Sequence, residues 1–232
     1  MRHRFFNLYV DDFDLDRLFE IKSGSHIVNL NLDQVILAQK DSNFAQIINS
    51  ADLIIPDGVI IPLTFNFFMK NFSQKALKKC AGIDLAYKLS QKSQRLALLG
   101  STPEVIKVLE QKFSTNLVFA NHGFFQLDQK EEIFNRLKES QPDLLLVAMG
   151  APLQEKLITE LVSELPETIK MGVGGAFDVW AGKLKRAPNW MIFFGFEWLF
   201  RIIQEPYRLK LFFSNMCSYA LLLVSNFFGE SD

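Results

Sequence analysis

The sequence is poor in the residues that build metal centres and disulfide frameworks. It has two cysteines, Cys80 and Cys217, with no CxxC, and three histidines, His3, His26 and His122, without ligand spacing. Neither a zinc site nor a disulfide scaffold is expected, and a reducing cytosol is the natural compartment. Positive charge is not in surplus either, since 25 Lys and Arg face 26 Asp and Glu. That balance speaks against a general nucleic-acid binder, which needs cations to displace phosphate counterions. No Walker A sequence occurs, and the run from Gly172 puts Phe177 where a dinucleotide fingerprint needs its third glycine. ATP and NAD chemistry therefore receive little support. The N-terminal stretch reaches Asp11 and Asp12 before any apolar run long enough for a signal peptide. The bulk of the chain is expected inside the cell.

What is present is a core-forming composition, 49% hydrophobic over 232 residues, enough for one large domain or a domain with an appendage. Short apolar runs at 25–29, 52–55, 95–100, 117–120, 143–150 and 168–175 alternate with amphipathic stretches. This predicts an α/β fold, with helices over 32–49 and from Pro103 to Phe113. Runs such as Leu144 to Ala148 are apolar on both faces, which predicts a mainly parallel sheet flanked by helices, with its site on the loops leaving the carboxyl ends of the strands.

After residue 182 the pattern changes. Between 183 and 210 six basic residues meet two acids, Glu197 and Glu205, and from Leu211 to Gly229 no residue is charged. The expected division is a catalytic domain over 1–182 and a basic, apolar, helical appendage over 183–232. Ser214, Asn215, Ser218, Ser225 and Asn226 fall near one stripe of the uncharged stretch. A helix lying on a bilayer or packed on the domain is therefore expected rather than one crossing it.

Several residues have the chemistry of a site. Pro56-Asp57-Gly58 ends a strand and presents a carboxylate with open access, either as a general base or as a plain turn that caps the next helix. Gly100-Ser101-Thr102-Pro103 leads from a strand to a helix start, where free N–H groups suit a phosphate or serve simple capping. Asp12-Phe13-Asp14 is formally a DxD, but its place before the first helix suggests a solvated turn.

Beyond these signals, the run GVGGAFDVWAGKLKRAPNWMIFFGFEWLFRIIQEPYRLK (172–210) closely resembles the C-terminal signature of the WecG/TagA/CpsF glycosyltransferases. Upstream, VNLNLDQV, ADLIIPDGV, AGIDL, LALLGSTPE, ANHGFF and PDLLLVAMGAPLQE match in the same order, so the resemblance covers about 25–210. It implies a Rossmann-like fold and an inverting, metal-independent transfer of an N-acetylmannosamine-type sugar from a UDP donor. The implied acceptor is an undecaprenyl-diphosphate-linked sugar, met at the inner face of the cytoplasmic membrane through the appendage, with homo-oligomers possible. Asp57 is the implied base. Asn29, Asn31, Lys79, Gln154, Arg201 and Arg208 are the implied substrate contacts, and Gly100, Ser101, Gly174, Gly175 and Asp178 face the nucleotide. The chain departs from the usual pattern at Asn29 (Thr), Lys79 (Arg) and Leu153 (basic), and Lys210 or Leu211 stands where a third appendage arginine falls. Two alternatives stay open: UDP-N-acetylmannosaminuronate or UDP-glucose as donor, and a noncatalytic scaffold that binds sugar nucleotide or lipid.

Overall fold

The computed structural model describes residues 1–70 and 76–227. The chain opens with an antiparallel hairpin, β1 (Arg2–Phe5) and β2 (Leu8–Asp11). Then follow β3 (His26–Leu30), α1 (Leu32–Lys40), α2 (Ser42–Asn49), β4 (Leu53–Pro56), α3 (Ile60–Thr64) with a π-helical turn over Phe65–Met69, and α4 (Gly82–Lys92). The middle of the chain supplies β5 (Leu96–Gly100), α5 (Pro103–Lys112), β6 (Leu117–Asn121), α6 (Lys130–Glu139), β7 (Leu144–Ala148), α7 (Leu153–Leu161) and β8 (Ile169–Gly172). It closes with α8 (Ala176–Trp180), α9 (Asn189–Phe193), α10 (Glu197–Gln204) and α11 (Arg208–Phe227).

The six strands β3 to β8 form one all-parallel sheet in the order β4-β3-β8-β7-β5-β6. Each expected strand is there, with β3 at His26–Leu30, β7 ending at Ala148 and β8 at Gly172. Alternate residues serve opposite faces, as a pleated strand requires. Leu96, Leu98, Leu144 and Leu146 join α4 and α5 on one side, while Ala97, Leu99, Leu145 and Val147 meet α6 and α7 on the other. Burial on both faces is why these runs carry no polar alternation.

One expected helix divides, and one element was not expected. The helix over 32–49 is two helices, because Asp41 ends α1 and its carboxylate accepts from Phe44 N–H to start α2. The hairpin lies outside the expected elements, although it alternates: His3, Phe5, Leu8 and Val10 point inward, and Arg2 grips Asp11 and the carbonyls of Ala51 and Asp52. Asp12-Phe13-Asp14 is not the solvated turn expected: the segment is irregular, Phe13 is buried in the core, and the extended Asp14 caps the following 3₁₀ segment.

Residues 211–227 of the uncharged stretch lie in α11, which begins at Arg208, and the last two residues of the stretch lie outside the described ones. Asn215, one of the expected polar stripe, is buried and donates to Asp33 (2.7 Å). Tyr219 is buried and donates to Thr64 Oγ1 (2.8 Å), and Leu222 and Leu223 pack on the same cluster as β3, α1 and the hairpin. One face of this helix thus belongs to the core, while Phe213, Leu221 and Val224 remain exposed. Among the described residues no helix is long and apolar enough to cross a membrane.

Candidate active site

The carboxyl ends of β3, β4, β5, β7 and β8 bring the candidate residues to one edge of the sheet. Asp57 follows β4, and its N–H continues the ladder by donating to Leu30 O (2.8 Å). Its Oδ1 accepts from Gly58 N–H (3.0 Å) and, more weakly, Gly82 N–H (3.4 Å) at the start of α4. Among the described residues Oδ2 has no hydrogen-bond partner, and it is not sealed from solvent. One oxygen orients the carboxylate and the other is free to act. Desolvation raises the Asp57 pKa above the usual carboxylate range, and the charge of Glu197 adds to it. Gly82 N–H, Lys79 and Gly58 N–H pull the other way. A raised pKa makes the ionised carboxylate a stronger base, the direction that proton abstraction needs.

Lys79 reaches Glu197 of α10 (3.3 Å), so the cation expected at the sugar is held beside Asp57 by a carboxylate from the C-terminal region. Cys80, also nearby, has its thiol pushed up to about 12, chiefly by burial, and is inert as a nucleophile at neutral pH. Asn29 is buried on β3, donates to Gly172 O (3.2 Å) and leaves Oδ1 without a partner. It sits against Gly82: a Cβ there would lie 2.8 Å from Asn29 Oδ1 and closer still to the rest of the amide. Asn31 caps α1 in a reciprocal box with Gln34, its Oδ1 accepting Gln34 N–H (3.1 Å) while Gln34 Oε1 accepts Asn31 N–H (3.0 Å). Its side-chain oxygen is therefore engaged in the helix start.

Among the residues expected to face the nucleotide, Gly100 and Ser101 both have positive φ. The Gly100 turn passes so close to Ala148 that no side chain fits there. Ser101 Oγ donates to Asp178 Oδ1 (3.4 Å), and Lys183 pairs with the same oxygen (3.3 Å). Gln154 bridges two loops: its Oε1 accepts from Gly150 N–H and Gly174 N–H (3.1 Å each). Over the neighbouring Gly175 lies the Arg201 guanidinium, with Cζ 3.2 Å from where a Cβ would stand and Nη2 nearer. Arg201 and Arg208 converge on one carboxylate, Glu205, at 3.5 and 2.7 Å. Burial works to raise the Glu205 pKa, but the Tyr207 hydroxyl and the two arginines outweigh it, so the group stays ionised. Arg208 is thus gathered with Arg201 at Glu205.

A family model for glycosyl transferases of the WecG/TagA/CpsF type matches residues 4–232. The chain belongs to the WecG/TagA/CpsF glycosyl transferase family. The match takes in most of the N-terminal hairpin and all of α11, both of which extend it beyond the 25–210 stretch that carries the sequence resemblance. For this transferase the structure adds four residues that sequence reasoning did not place: Gly82, Glu155, Glu197 and Glu205. Two had a visible signal, since Glu197 and Glu205 are the only acids in the basic stretch 183–210 and each holds a cation. Arg186 forms a further tie, a bidentate pair with Asp84 of α4 (2.5 and 2.6 Å). Among the described residues no cluster of three or more His, Cys, Asp or Glu could hold a metal ion. Two surface concavities, one beside Leu18 and Tyr87 and one beside Leu117 and Arg136, include none of the candidate residues.

Proposed function

We propose that this protein transfers an N-acetylmannosamine-type sugar, with inversion, from a UDP-sugar to an undecaprenyl-diphosphate-linked N-acetylglucosamine at the inner face of the cytoplasmic membrane. Asp57, with one oxygen pinned and the other free, carries the reading. Its Oδ2 takes the proton from an acceptor hydroxyl as that oxygen bonds to C1 of the donor sugar. The C1–O bond to phosphate breaks on the opposite face, and UDP leaves with the electron pair. The charge that develops on the leaving diphosphate is met by Arg201 and Arg208, with N–H groups of the Gly100-Ser101 and Gly174-Gly175 loops as further donors. Two guanidiniums at that position are suited to the charge without a metal, so turnover is expected to survive a chelator.

Membrane docking has support from the surface. Trp190, Phe193, Phe194, Ile203 and Tyr207 are exposed, Phe193 by 83%, and α10 buries none of its residues. They share residues 183–210 with a local excess of four positive charges, a pairing that suits an anionic lipid surface. The double variant Phe193→Ser, Phe194→Ser tests it, since both side chains are exposed and the fold does not need them. Loss of co-sedimentation with anionic vesicles is expected; unchanged binding refutes docking through this face.

The decisive experiment is a screen of UDP-sugars against a short-chain prenyl-diphosphate-linked N-acetylglucosamine, read by product mass, with Asp57→Asn alongside. Transfer from one UDP-sugar is expected, with most turnover lost in the variant and UDP binding kept. No transfer from any UDP-sugar, or an unimpaired variant, overturns the proposal; the second outcome is what a scaffold would give. Product mass also separates UDP-N-acetylmannosamine from the uronate and from UDP-glucose.

A further inference from the structure

Behind the candidate substrate residues runs a buried chain of side chains that includes Gln154, one of the implied contacts, and two residues, Gln34 and Glu155, to which the proposed reaction gives no role. Gln34 of α1 and Gln154 and Glu155 of α7 are each buried to 6% exposure or less. Gln34 Nε2 and Gln154 Nε2 both donate to Glu155 Oε1, each at 2.7 Å. From there the chain branches. Gln34 reaches Asn31 through the capping box at the end of β3, and Gln154 holds the N–H groups of Gly150 and Gly174, after β7 and β8. One carboxyl oxygen therefore joins three of the strand ends that form the site.

We propose that Glu155 is a positioning residue, uncharged, whose single carbonyl-type oxygen sets the spacing between Asn31 on one side and the Gly150 and Gly174 loops on the other. The inference rests on the reading of those strand ends as the substrate site. Both bonds to Oε1 come from neutral amides, and Oε2 is buried without a partner. An ionised carboxylate in that position would be buried without a cation, an arrangement that costs far more than a neutral acid does. Burial accordingly raises the Glu155 pKa, against the lowering pull of the Gln154 amide, its own backbone N–H and the Gln34 amide. Without the link, Gln154 loses the partner that fixes its rotamer, and the two loop N–H groups lose a fixed acceptor. A displacement of about 1 Å at a reacting centre can cost on the order of 10²-fold in rate.

The test compares Glu155→Gln with Glu155→Leu in the full-length protein. Gln keeps an acceptor oxygen at the same reach and no charge; Leu keeps the volume and removes the acceptor. Hydrogen exchange at the Gly150 and Gly174 amides is expected to match wild type in Glu155→Gln and to quicken about tenfold or more in Glu155→Leu. Transfer should follow: kcat close to wild type for Gln, and about 10²-fold lower for Leu with a smaller change in KM. Should Leu prevent folding, Glu155→Asp, one methylene shorter, gives the milder cut with the same expected order. Unaltered exchange at both amides in the Leu or Asp variant overturns the inference, and so does a Gln variant as impaired as Leu. Exchange is read without substrate, so failure here is distinct from a failed UDP-sugar screen.

Discussion

Replacing Gly175 by Ala should cripple transfer while leaving the fold almost untouched. Gly175 has φ −79° and ψ 14°, a conformation that alanine adopts freely. As the residue before α8 it loses up to about 1 kcal/mol of capping preference, roughly offset by 0.4–1 kcal/mol from the less flexible unfolded chain. The new Cβ meets only the tip of Arg201, whose side chain is 41% exposed and free to swing into solvent. Net stability should therefore change by less than about 1 kcal/mol, a Tm shift of a few degrees at most. What moves is the guanidinium. Taking one charged donor off the departing diphosphate costs on the order of 10²–10³ in kcat, about 3–4 kcal/mol. Measured as UDP release at saturating substrates, Gly175→Ala and Arg201→Ala should lose similar activity, and the double variant should lose little more, since both remove one contact. If Gly175→Ala turns over within twofold of wild type while Arg201→Ala does not, Arg201 acts somewhere other than over this loop.

Three further outcomes follow from the same geometry. Because the folded state raises the Asp57 pKa, it binds that proton more tightly than the unfolded chain, and stability falls as pH rises from the usual carboxylate range through the raised value. Asp57→Asn should thus melt higher than wild type at about pH 8 and equally at about pH 3, where both states are protonated; a lower Tm at pH 8 would contradict the assigned direction. Glu197→Gln removes the charge that helps raise Asp57 and frees Lys79 from its partner, so the acid limb of kcat/KM should move to lower pH; an unmoved limb would detach Glu197 from the base. Tyr219→Phe deletes a buried hydrogen bond to Thr64 and should cost about 1 kcal/mol, a Tm drop of roughly 2–4 °C, whereas no change would mean that α11 is not held by this contact.

The sheet was legible because its strands are short runs buried on both faces, a pattern few other elements share. Its order was not, since β8 slips between β3 and β7 through pairings that no local signal encodes. The break at Asp41 was visible in principle, as an Asp three residues before Phe44 is a capping pattern, but the apolar spacing on either side reads as continuous. The hairpin failed for a different reason: its inward positions include a histidine, and four-residue strands give too few alternations to stand out. In the site, Asp57 and the glycine loops announce themselves by their place after strands. Glu155 does not, because its meaning lies in Gln34, 121 residues away in the chain. Asn215 shows a similar limit: the polar stripe fits a helix on a bilayer or one packed on the domain, and Asp33 opposite Asn215 decides for packing on that face.

In the proposed reaction, the pairing of Arg201 and Arg208 with Glu205 would make nucleotide capture an exchange rather than an addition. The two side chains would repel each other without a counterion between them, and Glu205 holds them gathered in readiness. An incoming pyrophosphate must outcompete this resident anion, which trims affinity. On the same proposal the competition would work in reverse once the sugar has gone, with the carboxylate reclaiming its partners and speeding the spent nucleotide's departure.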